Sequence, residues 1–132
     1  MYIDRLILFV TAQCNSKCVM CFNDNLNMID DANELTLEEY KIIAAKLKTR
    51  LKSIMLSGGE PSLRKDLPEI CQTFYNQCSV KKIELPLNGQ DKEKSIWMIE
   101  KILRSCPTVQ LNVRLSIDGI GEIHDMQRGV ND

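Results

Sequence analysis

Apolar residues gather in four short runs, Leu6–Thr11, Ser53–Leu56, Lys82–Leu87 and Val109–Ile117, separated by longer stretches with helical spacing. Runs of that length predict strands. The first is almost continuously apolar, which predicts a parallel strand covered on both faces. The last alternates: Leu111, Val113 and Leu115 on one side, Asn112, Arg114 and Ser116 on the other. Three helices lie between the runs, each with a recognisable start. Thr36-Leu-Glu-Glu39 has the form of a capping box, and Ile42, Ile43, Ala45, Leu47 and Leu51 supply an apolar side behind it. Asp66-Leu-Pro-Glu69 opens a second helix, with Pro68 in the first turn, where its missing N–H costs little. Asp91 opens a third, carrying Ile96, Ile99 and Leu103 at helical spacing, and Pro107 stands just past its end. The order β-α-β-α-β-α-β predicts right-handed crossovers and a parallel sheet. The fold class is therefore α/β, either an open sheet or an arc of a (β/α) barrel. In both, ligands sit at the carboxyl ends of the strands.

No repeat, low-complexity tract or linker divides the 132 residues, so residues 1–132 read as a single domain or part of one. A net charge of −1 gives no footprint for a nucleic-acid partner. No run of 18 apolar residues exists, so no membrane span is expected. The opening segment carries Asp4 and lacks a small-residue cleavage site, so it reads as a strand rather than a signal peptide, and a cytoplasmic location is expected. Without an export signal, six cysteines argue against a disulfide framework. Cys71, Cys78 and Cys106 are scattered over predicted helices and read as small buried hydrophobes. The other three crowd together.

Cys14-Asn-Ser-Lys-Cys18-Val-Met-Cys21 follows the first strand. Soft thiolates at such spacing select zinc, copper(I) or an iron–sulfur cluster. A structural zinc site takes four ligands, usually from two separate pairs. Here there is one tight triplet, and the lone histidine, His124, is far along the chain. Three thiolates suit three corners of a [4Fe–4S] cube, leaving one iron for a small molecule that bears an amine and a carboxylate. Zinc completed from elsewhere, unliganded thiols and one face of a buried helix are the competing readings. Asn15, Ser16 and Lys17 inside the triplet, and Asn23, Asp24, Asn25 and Asn27 after it, favour a loop over a helix.

Further chemistry falls at the ends of the other strands. Ser57-Gly58-Gly59-Glu60-Pro61-Ser62 follows the second; its glycines permit close backbone approach to a ligand, and Glu60 offers a carboxylate to a cation. Asn88-Gly89 ends the third and also suits a plain turn. Ser116 has the parity opposite to the apolar set of the fourth, and Asp118-Gly119 is a turn signal.

Cys14-x3-Cys18-x2-Cys21 behind an apolar strand, with Gly58-Gly59-Glu60-Pro61 after the next strand, resembles the radical S-adenosylmethionine enzymes. The resemblance implies a [4Fe–4S] cluster on the three cysteines whose free iron is chelated by S-adenosylmethionine. It implies an enzyme that cleaves that cofactor to a 5′-deoxyadenosyl radical, which abstracts hydrogen from substrate. It also implies an electron donor such as flavodoxin or ferredoxin. By the same resemblance Gly59 and Glu60, in the motif with Gly58, bind the methionyl ammonium. Met20, where the family commonly has an aromatic residue, lies by the adenine. Asn88 faces the ribose or the methionyl carboxylate, and Ser116, with Asp118 in a lesser role, contacts the cofactor. His124-Asp-Met-Gln-Arg128-Gly129 resembles a segment of a subset that includes peptide and protein maturases, implying a peptide or protein side chain as substrate, and reads as a loop leading into a fourth helix. The family's core is a partial TIM-like barrel of six βα units. About four are expected here, so the chain reads as an incomplete core domain. The alternative is a non-catalytic module holding zinc or a cluster, or an inactive fragment of such an enzyme.

Overall fold

The computed structural model describes residues 3–22, 34–47 and 51–130. Along the chain run β1 (Arg5–Thr11), α1 (Leu37–Leu47), β2 (Ser53–Gly58), α2 (Leu67–Cys78), β3 (Lys82–Leu87), α3 (Lys92–Ser105), β4 (Gln110–Leu115) and α4 (Glu122–Arg128). The strands form one sheet in the order β1-β2-β3-β4, and every neighbouring pair is parallel. The four expected strands are present with shifted ends. β2 continues to Gly58, and β4 stops at Leu115 rather than Ile117. The Ser116 N–H still donates to the Leu87 carbonyl, where β3 itself ends.

Register decides which side chains meet the helices. Leu8, Ile54, Ile83 and Leu111 share one face with Val10, Leu56 and Leu85. That face packs on Tyr40 and Ala44 of α1, Ile70 and Phe74 of α2, and Met98 and Ile102 of α3. Each such side chain taken fully out of water contributes roughly 1.5–3 kcal/mol. The opposite face has no helix among the described residues. Ile7 and Phe9 remain 59% and 55% exposed there, so β1 is covered on one face and not on both as its composition suggested. Helices confined to one face are the layering of a barrel arc, not of a doubly wound sheet.

The predicted helix starts are in place. Thr36 Oγ1 accepts from the Glu39 N–H at 3.3 Å, and the Glu39 carboxylate accepts the Thr36 N–H at 2.8 Å. Asp91 accepts from the Lys94 N–H at 2.9 Å. Asp66 precedes α2 without capping it by its side chain, because its carboxylate is taken by Arg64. The buried stripes differ from the expected ones. On α1 they are Tyr40 and Ala44, with Ile42 and Ala45 outward; on α3 they are Ser95, Met98 and Ile102, with Ile96 and Leu103 outward. Both helices carry more apolar residues than one face holds, so spacing alone could not choose the stripe. Beyond β4 a true short helix, α4, stands where a loop was expected, with Gly121 before it and Gly129 after it. Among the described residues no helix is long and apolar enough to cross a membrane.

Candidate functional site

The segment after β1 is a loop, not a helix: Cys14 to Phe22 makes no helical ladder, only a turn in which the Cys21 N–H donates to the Cys18 carbonyl at 3.0 Å. The asparagine- and aspartate-rich stretch from Asn23 on lies outside the described residues. Two anchors fix the start of the loop. On one side the Glu34 carboxylate accepts from Thr11 Oγ1 and from the Ala12 N–H, both at 2.7 Å. Arg64 stands behind Glu34, donating to the Val10 carbonyl at 2.7 Å and the Leu35 carbonyl at 2.7 Å while its Nε holds Asp66 at 2.6 Å. On the other side the loop after β2 extends the pairing: Gly59 N–H donates to Thr11 O and Glu60 N–H to Gln13 O, each at 2.8 Å. This approach needs glycine. A Cβ on Gly58 would lie 2.2 Å from the Thr11 carbonyl oxygen, and one on Gly59 2.1 Å from that of Gln13.

Glu60 is 2% exposed, yet each of its carboxylate oxygens has a partner. Its Oε1 accepts the Ser62 N–H at 3.0 Å and its Oε2 the Asn88 N–H at 2.7 Å. Asn88 Nδ2 in turn donates to Asn15 Oδ1 at 2.7 Å and Ser16 Oγ at 3.0 Å. The ends of β1, β2 and β3 are thus joined by one polar network centred on a carboxylate. Each carboxylate oxygen has a second lone pair, so a cationic ligand can still be met.

These loops enclose a cavity of about 150 Å³. Cys14, Cys18, Cys21, Gly58, Gly59, Glu60, Asn88 and Ser116 all line it. Met20, 54% exposed, and Asp118 are not in the lining. Asp118 pairs with Arg128 instead, its Oδ2 2.6 Å from Nε. Four further polar residues of the lining had been given no cofactor role: Ser16, Lys17, Ser57 and Arg128. The first three sit beside motif residues and could have been added by adjacency. Arg128 is 110 positions from Cys18, and only the fold brings its Nη1 to 3.8 Å from that sulfur.

Burial, and then Coulombic interaction with Glu60, Cys18 and Cys21, pushes the Cys14 thiol above its ordinary range, while the Ser16 N–H at its sulfur opposes them. A metal that takes this ligand must displace its proton. Cys71, Cys78 and Cys106 are all buried away from the cavity, and burial raises each thiol. They pack as hydrophobes. His124 Nδ1 accepts from the Asp118 N–H at 3.3 Å.

Comparison with known proteins gives this site a context. The GTP 3′,8-cyclase of Tolumonas auensis is 35% identical over 117 residues, covering 87% of this chain and 33% of its own length. The probable GTP 3′,8-cyclase of Methanococcus vannielii is 31% identical, covering 93% of this chain and 42% of its own. The chain therefore spans about a third to two fifths of the curated relatives it matches. Streptococcus suis SuiB bound to S-adenosylmethionine superposes with a TM-score of 0.73 at 20% identity, over 98% of this chain and 28% of that one. The structure of anSMEcpe with bound AdoMet superposes with a TM-score of 0.66 at 22% identity, over 96% and 35%. At these identities the likeness is one of fold. The profile of the Radical SAM superfamily matches residues 8–128, nearly all of the chain. On that match the chain belongs to the Radical SAM superfamily, whose cofactors are a [4Fe–4S] cluster and S-adenosylmethionine.

Proposed function

We propose that Cys14, Cys18 and Cys21 hold a [4Fe–4S] cluster and that the cavity beside them receives the methionyl end of S-adenosylmethionine. The observation that carries this reading is that the three thiols line one cavity together with Glu60, Gly59, Asn88 and Ser116. Among the described residues no three His, Cys, Asp or Glu side chains converge to hold one metal ion. A cluster suits that arrangement, because each thiolate takes its own iron, whereas zinc gathers its ligands at about 2.3 Å around one point. The cavity is smaller than the roughly 300–1,000 Å³ of a drug-sized pocket, so these residues account for part of a ligand the size of S-adenosylmethionine.

When bound and reduced by one electron from a donor of the ferredoxin or flavodoxin kind, the cluster supplies cleavage of S-adenosylmethionine to methionine and a 5′-deoxyadenosyl radical, which takes hydrogen from substrate. The chain's own part is to bind and orient. Glu60 offers its remaining lone pairs to the methionyl ammonium through charge-assisted hydrogen bonds. The backbone at Gly59 comes close because no Cβ intervenes. Asn88 and Ser116 present polar groups to the carboxylate or ribose. Met20 and Asp118 stand outside the cavity lining, and the family resemblance alone gives them cofactor contacts.

For the substrate we propose a purine nucleotide in preference to a peptide. The sequence relatives are named for GTP, while the peptide-bound structures share the fold alone. The peptide expectation rested on the His124–Gly129 stretch, whose Gln127 and Arg128 carbonyls are instead bonded to the cysteine loop. The test is 5′-deoxyadenosine formation by anaerobically reconstituted protein given dithionite and S-adenosylmethionine, with GTP or a peptide added. Formation that GTP accelerates supports the reading. A loaded cluster that never cleaves the cofactor refutes it.

A further inference from the structure

We propose that the segment from Asp118 to Gly129 is a clip that fixes the position of Cys18, with Arg128 as its positioning residue; the inference rests on the reading that Cys18 carries a cluster. A helix ends with carbonyls that have no intrahelical partner. The last two of α4 are met by the cysteine loop. The Lys17 N–H donates to the Arg128 carbonyl and the Val19 N–H to the Gln127 carbonyl, both at 3.0 Å. The two donors flank Cys18, so its backbone is held from either side.

Gly129 makes this contact possible on two counts. Its φ of 59° and ψ of 42° are left-handed, and its N–H closes the helix on the Asp125 carbonyl. A Cβ there would stand 2.2 Å from the Lys17 carbonyl oxygen, an overlap with backbone that no rotamer relieves.

The Arg128 side chain completes the clip. Its Nη1 lies 3.8 Å from Cys18 Sγ, and its Nε lies 2.6 Å from Asp118 Oδ2. The Nε contact is an ion pair by distance without a well-directed hydrogen bond, since that N–H has no aligned acceptor. The Asp118 N–H donates to His124 Nδ1, which ties the turn after β4 to α4. The His124-Asp-x-x-Arg128-Gly129 pattern therefore has a structural purpose that requires no substrate.

α4 has seven residues and buries none of them. Too short to persist by propensity, it holds the loop and is held by it. Disrupting the clip should open this corner and leave the core around Ile54, Ile83 and Phe74 folded. With a cluster on Cys18, a cationic donor beside its sulfur raises the reduction potential, and losing that donor lowers it.

The test uses the full chain. In metal-free protein kept without oxygen, the alkylation rate of Cys18 is read by peptide mass mapping, with buried Cys71 as internal control. Gly129→Ala should speed alkylation at Cys18 by roughly tenfold or more and leave Cys71 protected. In reconstituted protein, Arg128→Gln should keep its iron but show a more negative midpoint potential and an altered EPR spectrum, and Arg128→Lys should restore much of both. Unchanged Cys18 alkylation in folded Gly129→Ala overturns the clip. Wild-type potential and spectrum in Arg128→Gln overturn the role of the arginine. If Gly129→Ala does not fold, Arg128→Gln decides. If even the unaltered chain takes up no cluster, the functional reading fails while the alkylation result still judges the clip.

Discussion

Glu60 accepts the backbone N–H of Asn88 at 2.7 Å, across 28 positions of sequence, and so joins the end of β2 to the end of β3. The residue that the family resemblance assigns to a ligand is thus also a structural crosslink. Glu60→Ala should leave the Ser62 and Asn88 N–H groups without their acceptor and destabilise the protein by about 1–3 kcal/mol. Glu60→Gln keeps one acceptor oxygen and should cost less. Urea denaturation of the metal-free chain measures this. Calorimetry with S-adenosylmethionine on the loaded protein should show both variants binding more weakly.

Glycines at the site differ in why they are glycine. A Cβ on Gly59 meets the Gln13 backbone at 2.1 Å, whereas one on Gly89, at φ 79°, meets nothing closer than a Leu115 methyl at 3.7 Å. Gly59→Ala should cost about 1–3 kcal/mol by forcing the two loops apart, and should lower iron uptake. Gly89→Ala should cost about 1–2 kcal/mol for backbone strain alone and leave iron uptake unchanged. Denaturation midpoints and iron content after reconstitution separate the two.

Arg64 is the other crosslink, reaching Val10, Glu34, Leu35 and Asp66 and stacking 5.5 Å over the Tyr40 ring. Its removal leaves partly buried carboxylates without a cation, so Arg64→Met should lose about 3–5 kcal/mol. Arg64→Lys should recover little, because one ammonium cannot replace a planar fork. Chemical denaturation checks both.

The capping box on α1 predicts a pH dependence. Hydrogen bonds from the Thr36 backbone and hydroxyl hold the Glu39 carboxyl below its usual range. A depressed folded-state value means that the contribution is present above the unfolded value and is lost as pH falls through the folded one. Melting temperatures of the natural chain and Glu39→Gln should therefore differ at about pH 7 and converge toward about pH 3. A constant difference would contradict the assignment.

Local chemistry made much of this fold legible in sequence. The Thr36 box, the Asp91 cap and Pro68 mark helix starts whose physics is contained within a few residues. The three cysteines and Gly58-Gly59-Glu60 announce themselves by type and spacing, and the cavity collects them. Features that depend on tertiary partners were not legible. Ile42 and Ile96 look like core residues until a neighbouring helix chooses Ala44 and Met98 instead. α4 has too little propensity to register, and its last two carbonyls are satisfied by a loop over a hundred residues away. For the same reason Arg128 could not be linked to Cys18, and nothing local to Asp118 revealed that its carboxylate belongs to that arginine.

The most direct measurement is iron, sulfide and zinc content after anaerobic reconstitution, followed by EPR of the reduced protein with and without S-adenosylmethionine. A cluster on the three cysteines gives about four iron and four sulfide per chain. With one iron left without a protein ligand, the spectrum should shift when S-adenosylmethionine is added. One zinc with neither iron nor sulfide, or a full cluster whose spectrum ignores S-adenosylmethionine, would contradict this assignment.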